Sequence, residues 1–343
     1  MARLMKRYRN RIALGLALGF GVAAATMLLS DVSKLLEQAV AFPWLVMVPV
    51  LALRVANWAL RFIKWHFYLH VVGVEGISAK DSAAVFVSGF VLSLSPGKVA
   101  EALKSLVVRG LTGAPVAATL PVVAAERLSD GIAVLFLLAM AIGALAAEAY
   151  WPVVLVSATL LAALIAVLQM RPLCLWLLGL AARLPLLRRL AAPLGAFYAS
   201  SYAIVRWRNI GVAVSLGTAA NFLDGIGVYL ILLGMGQPAT AETLWQAVLV
   251  ISLSVVVGSL SALPGGLGAA DLSIGVTLQM VAGLGVAEAG FATLLARFVQ
   301  LWWGVLVGMG VGAVYGERLL RAVLAGEGED DAPDYLADRI PAR

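Results

Sequence analysis

Long apolar runs, separated by short polar or Pro/Gly-rich stretches, set the rhythm of this 343-residue chain. Six runs, at 12–30, 44–66, 115–147, 151–170, 209–234 and 286–314, approach or exceed the length of about 20 residues that a helix needs to cross the hydrocarbon core of a bilayer. Two more apolar stretches are broken in the middle, 82–111 by Pro96-Gly97 and 243–283 by Pro264-Gly265-Gly266. Proline removes a helical donor and glycine tolerates a tight turn, so each break predicts a helical hairpin. The arms of the first are too short to span, which predicts a re-entrant hairpin; the longer arms of the second leave a pair of full spans open. Short segments alternating apolar and polar, the mark of a transmembrane barrel, are absent. The predicted fold is an all-α polytopic membrane protein with about six full spans plus the two broken hairpins.

Composition agrees. The chain is 62% hydrophobic and 13% charged, against about 25% charged in a typical soluble domain. The apolar run near the N-terminus is longer than the core of a cleaved signal peptide, so a retained first span is expected. The formal net charge is +6, and its distribution reports orientation rather than nucleic-acid binding. Arg3, Lys6, Arg7, Arg9 and Arg11 precede the first span, and segment 171–208 carries six arginines and no acid. The loops expected on the other side hold Asp31, Lys34, Glu37, Glu148 and Glu242. The N-terminus, segment 171–208 and the C-terminus are therefore expected on the cytoplasmic side of an inner membrane. Within that segment, 177–190 reads as an amphipathic stretch along the interface, and Trp44, Trp151 and Trp245 fit the outer interface.

The two halves resemble each other. SPGKVAEAL at 95–103 parallels LPGGLGAADL at 263–272; Glu101 and Asp271, Arg127 and Arg297, and Asp130 and Gln300 are each 170 residues apart. Ala56-Asn57-Trp58 parallels Ala220-Asn221-Phe222. The expected organisation is a basic N-terminus at 1–11, a first repeat at 12–147, a second at 148–316 and a polar, disordered tail at 317–343. Three crossings in the first repeat start the second on the opposite side, the pattern of an inverted-topology transporter. Unwound backbone survives at membrane depth only beside protein or a wet cavity. Each restarting helix would point its partly positive N-terminus into that cavity, which suits an anion.

Charges in these segments define the candidate site: Arg127, Arg297, Glu101, Asp271, Lys104 and Asp130, with Asn57, Asn221 and Asp224 one span earlier and the tips Pro96, Gly97, Pro264, Gly265 and Gly266. A charge at a helix centre costs at least about 2.5–3.5 kcal/mol on insertion scales, so such residues face an interior and pair. Glu101 with Lys104, and Arg127 with Asp130, share a helix face at i, i+3. These groups are either structural ion pairs or a cationic recess for a lipid phosphate, which arginine's planar fork suits. Arg54 and Arg61 could instead snorkel to the interface. Cys174 is the only cysteine, and the two histidines, His66 and His70, read as interfacial anchors rather than metal ligands. No enzyme motif is present, and neither a metal nor another cofactor is expected.

LSLSPGKVAEALKS, AAERLSDG, LSALPGGLGAADLS and LLARFVQLWWG, in that order and spacing over residues 10–318, resemble the flippase-like family named after the transmembrane domain of lysylphosphatidylglycerol synthase. Asp271 stands where relatives tend to carry Glu. The synthase's soluble aminoacyl-transferase domain is not represented. The resemblance implies a non-enzymatic lipid transporter that moves an anionic or zwitterionic phospholipid, a hopanoid or a polyprenyl-linked glycan between leaflets. A secondary transporter of a small polar solute and a scaffold of an envelope-lipid pathway are the rival readings. Neither a nucleic-acid partner nor a particular oligomeric state follows from the sequence.

Overall fold

The computed structural model describes residues 32–92, 103–170 and 188–326. Every regular element among them is helical. A short helix α1 (Val32–Ala41) leads into α2 (Met47–Val71), and the first hairpin has arms α3 (Ala79–Leu92) and α4 (Leu103–Thr112). Then follow α5 (Val116–Leu145), α6 (Trp151–Gln169), α7 (Arg188–Ile204) and α8 (Trp207–Gly234). The second hairpin has arms α9 (Ala241–Leu260) and α10 (Ala269–Ala282). After it come α11 (Val286–Arg297), a π-helical turn (Phe298–Trp302) and α12 (Trp303–Gly326).

Five segments are long and apolar enough to cross a membrane: Trp44–Val71, Val116–Leu145, Trp207–Gly234, Ala241–Leu260 and Val286–Leu319. Four of these coincide with expected spans. The expected span 151–170 is the helix α6, whose apolar stretch Glu148–Ala163 is shorter; the span at 12–30 lies outside the described residues. The hairpins are unequal. At 1.5 Å per residue, α3 and α4 reach only about 21 and 15 Å, too short for a core about 30 Å thick. In the second hairpin α9, with 20 residues, is span-length, whereas α10 has 14. That pair is therefore not two full spans. The C-terminal boundary also moves: α12 continues through Gly326, so 317–326 is helical rather than tail.

Capping explains the hairpin boundaries. The Thr240 hydroxyl accepts the backbone N–H of Thr243 at 3.2 Å and starts α9. Asp271 accepts the N–H of Gly268 at 2.9 Å, opening α10 after the Pro264–Gly266 turn. Gly283, at φ +64°, stops α10 in the left-handed conformation that suits glycine.

The three largest apolar clusters among the described residues hold the bundle together. One joins the start of α2 (Val50), the end of α8 (Ile231, Leu232) and the free ends of the second hairpin (Ala247, Leu278). A second joins the end of α2 (Trp65, Leu69), the first hairpin (Val85, Phe86, Val108), the start of α5 (Val122) and Leu319 of α12. The third runs along α5 and α9 through Leu138, Ile142, Leu249 and Val256. The two hairpins thus open towards opposite ends of the bundle. Each long helix lies against the hairpin from the other half of the chain, α5 on α9 and α12 on α3 and α4. Gly308 permits the second contact, since a Cβ there would lie 2.9 Å from the Val87 carbonyl oxygen. Large apolar side chains such as Val55, Ile63, Phe136, Leu155 and Met309 face outward, as lipid contact requires.

Candidate functional site

Four polar residues of α2, Arg54, Asn57, Arg61 and Lys64, fall on one stripe, spaced at three or four residues. This stripe faces α8 and α5 at about the middle of all three helices, and there it becomes one hydrogen-bonded network. Arg54 donates from Nη1 to both oxygens of Asp224, at 2.9 Å each, and from Nη2 to the Gln300 carbonyl at 2.7 Å. Gln300 lies in the π-helical turn, where the shifted hydrogen-bond register opens carbonyls to other donors. Asn57 donates to the Ala220 carbonyl at 2.6 Å. Arg61 is held on three sides: Nε on Asn57 Oδ1 at 3.1 Å, Nη2 on Asn221 Oδ1 at 3.1 Å and Nη1 on Asp130 Oδ2 at 2.6 Å. Lys64 donates to the other Asp130 oxygen. Gly217 of α8 makes room for this pair, since a Cβ there would sit 3.3 Å from Asp130 Oδ1.

Two further ion pairs flank the network. Lys104 of α4 reaches Glu126 Oε2 at 3.3 Å, with its ammonium 4.9 Å from the Trp65 ring centroid and 5.4 Å from that of Phe86. Gly89 of α3 lets it lie there, because a Cβ would come within 2.6 Å of Lys104 Cε. Arg297 of α11 donates from Nε to Asp271 Oδ1 at 3.0 Å and from Nη2 to the Gly265 carbonyl at 2.9 Å. Arg297 thereby clamps the tip of the second hairpin, where Gly265, Gly266 and Gly268 all have positive φ.

The residues expected from the sequence are distributed unevenly. Asn57, Asn221 and Asp130 meet at the network, with Asp224 beside them. Asp271 and Arg297 pair with each other at the tip containing Pro264, Gly265 and Gly266. Lys104 is engaged by Glu126. Glu101, Pro96 and Gly97 lie outside the described residues. Two expectations need correction. Asp130, for which the i, i+3 spacing offered Arg127 as one possible partner, gives its two oxygens to Arg61 and Lys64, partners the spacing did not offer. Arg54 and Arg61 point inward to carboxylates and do not snorkel. Sequence reasoning passed over Lys64 and Glu126; the three- and four-residue spacing along α2 would have exposed Lys64.

Away from the network, an open cleft of about 280 Å³ lies where α5 and α10 end and α9 begins, lined by residues including Tyr150, Glu242, Gln246 and Met280. Among the described residues no group of three or more His, Cys, Asp or Glu side chains is placed to hold a metal ion.

A helical, multi-pass membrane protein with a buried ionic network at mid-height and two hairpins opening at opposite ends defines the class. Within it, the chain belongs to the family described as the lysylphosphatidylglycerol synthase TM region, which it matches over residues 12–308. It is also similar to a UPF0104 membrane protein of Methanothermobacter thermautotrophicus, with 29% identity over 142 residues. That match takes in 41% of this chain and 38% of the relative's length.

Proposed function

We propose that this protein moves an anionic or zwitterionic phospholipid, or a lipid-linked head group, between the leaflets of the cell's inner membrane, with both termini cytoplasmic and without catalysing a chemical reaction. One observation carries the reading: a polar stripe with cationic and amide groups lies at mid-height in an otherwise apolar bundle of this family. A head group crossing a bilayer needs such groups at the depth where water cannot serve it. The inward-facing residues of α2, α5 and α8 supply them, while the outward apolar faces leave the acyl tails in lipid. The hairpins, opening at opposite ends, support a pair of inverted repeats at 12–147 and 148–316 that alternately expose the network to each side.

The test is reconstitution into vesicles containing fluorescent phosphatidylglycerol, followed by quenching of the outer leaflet. The purified chain should raise the rate at which protected lipid reaches the quencher at least tenfold over protein-free vesicles. Unchanged lipid movement, with entry of a small polar solute instead, would replace this reading with that of a solute transporter.

A further inference from the structure

Among the described residues, the interior ion pairs are balanced with one exception. Arg54 has Asp224, Lys104 has Glu126 and Arg297 has Asp271. At Asp130 two cations, Arg61 and Lys64, share one carboxylate. Uncompensated charge is costly away from water, and counted over the described residues the cluster is one anion short.

Its geometry indicates where that anion enters. The Lys64 side chain is 1% exposed and that of Arg61 21%, so Arg61 forms the open edge. Two neutral amide oxygens, from Asn57 and Asn221, hold Arg61 Nε and Nη2. The guanidinium is thus oriented independently of the carboxylate on Nη1 and can change its anionic partner without leaving its place. A phosphodiester presents two unesterified oxygens, as a carboxylate does, and accepts the same donors.

We infer that Arg61, backed by Lys64, receives the phosphodiester of a phospholipid, and that Asp130 is the resident counter-ion that gives up Arg61 and keeps Lys64 when the lipid arrives. Two cations then face two anions and the cluster is balanced. The occupant rests on the lipid-translocation reading; the place rests on the charge count. Release is built into the same arrangement, because Asp130 stands ready to take Arg61 back.

The test measures phosphatidylglycerol retained by the full chain in neutral detergent, by native mass spectrometry, for wild type, Arg61→Gln and Asp130→Asn. Arg61→Gln leaves Lys64 and Asp130 as a balanced pair, so the fold should persist while retention falls roughly ten- to a hundredfold. Retention within threefold of wild type overturns the site. Asp130→Asn leaves two cations without an anion, so phosphatidylglycerol should raise its melting midpoint more than it raises that of wild type. A variant that instead loses the lipid as Arg61→Gln does overturns the counter-ion role. Inorganic phosphate should fail to displace the lipid; displacement at millimolar phosphate would make the ligand a soluble anion and overturn the lipid assignment. A wild type that retains phosphatidylglycerol yet does not move it in vesicles sinks translocation and leaves this site standing. Lipid movement that is equally fast with Arg61→Gln does the reverse.

Discussion

Of the three arginine–aspartate contacts inside the described part of this bundle, those of Arg297 and Arg61 differ most in how fully they are used. At the second hairpin tip Arg297 is 7% exposed, faces one carboxylate and donates to the Gly265 carbonyl, and Asp271 also caps the start of α10. Charge, geometry and backbone are all satisfied there, so Arg297 acts as a strut. On α2, Arg61 is more open, shares its carboxylate with Lys64 and is steered by two neutral amides. The same residue pair therefore builds a fixed joint in one place and an exchangeable contact in the other. The difference lies in local charge balance and exposure, not in residue type.

The largest expected effect falls on the strut. Arg297→Gln leaves the half-buried Asp271 without its cation; breaking a buried pair in this way typically costs about 3–5 kcal/mol, and this one should approach the lower end. Low yield, aggregation or a sharply lowered melting midpoint should follow. Arg297→Gln with Asp271→Asn removes both charges and should recover most of that stability. A single variant as stable as wild type would erase the contrast between the two sites.

Backbone conformation at the same tip gives the next effect. Gly266 has φ +67°, and a Cβ there would lie 3.1 Å from the Gly258 Cα. Gly266→Ala therefore combines left-handed strain with a backbone collision, for a loss of about 1–3 kcal/mol measured by thermal unfolding. Gly258 carries no positive-φ penalty, and its Cβ would meet the Ala270 Cβ at 3.1 Å. Gly258→Ala should cost less, which tests whether strain or crowding dominates the tip.

Much of this fold was readable before any coordinates, because long apolar runs and Pro-Gly breaks are local signals with direct physical causes. Arg297 and Asp271 were both among the candidate-site residues the sequence marked, as were Asn57, Asn221 and Asp224. The partners of Asp130 were not legible. Arg127 lies three residues away in sequence, but Arg61 and Lys64 reach it across a helix interface, and such contacts follow from packing rather than spacing. The inward turn of Arg54 and Arg61 was missed for a related reason. Each was weighed singly, whereas the stripe they form with Asn57 and Lys64 marks an interior face. The π-helical turn at Phe298–Trp302 has no comparable sequence signature, although it presents the Gln300 carbonyl to Arg54.

The smallest expected change in stability comes from Arg61→Lys, and it separates the two sites most cleanly. Lysine keeps the positive charge but has one nitrogen, whereas Arg61 uses three on Asn57, Asp130 and Asn221. The ion count is unchanged and Asp130 keeps Lys64, so unfolding should shift by about 1 kcal/mol or less. Lipid movement should fall further, by roughly tenfold, because an ammonium steered by no amide neither presents a planar fork to phosphate nor returns to the same place after release. The corresponding change at the strut, Arg297→Lys, should reverse this order. An ammonium cannot hold Asp271 and the Gly265 carbonyl in the same geometry, so stability should drop before any transport defect is seen in the protein that remains folded. Equal profiles for the two lysine variants, measured as melting midpoint against vesicle transport rate, would show that Arg61 is a second strut and not the place where the lipid is received.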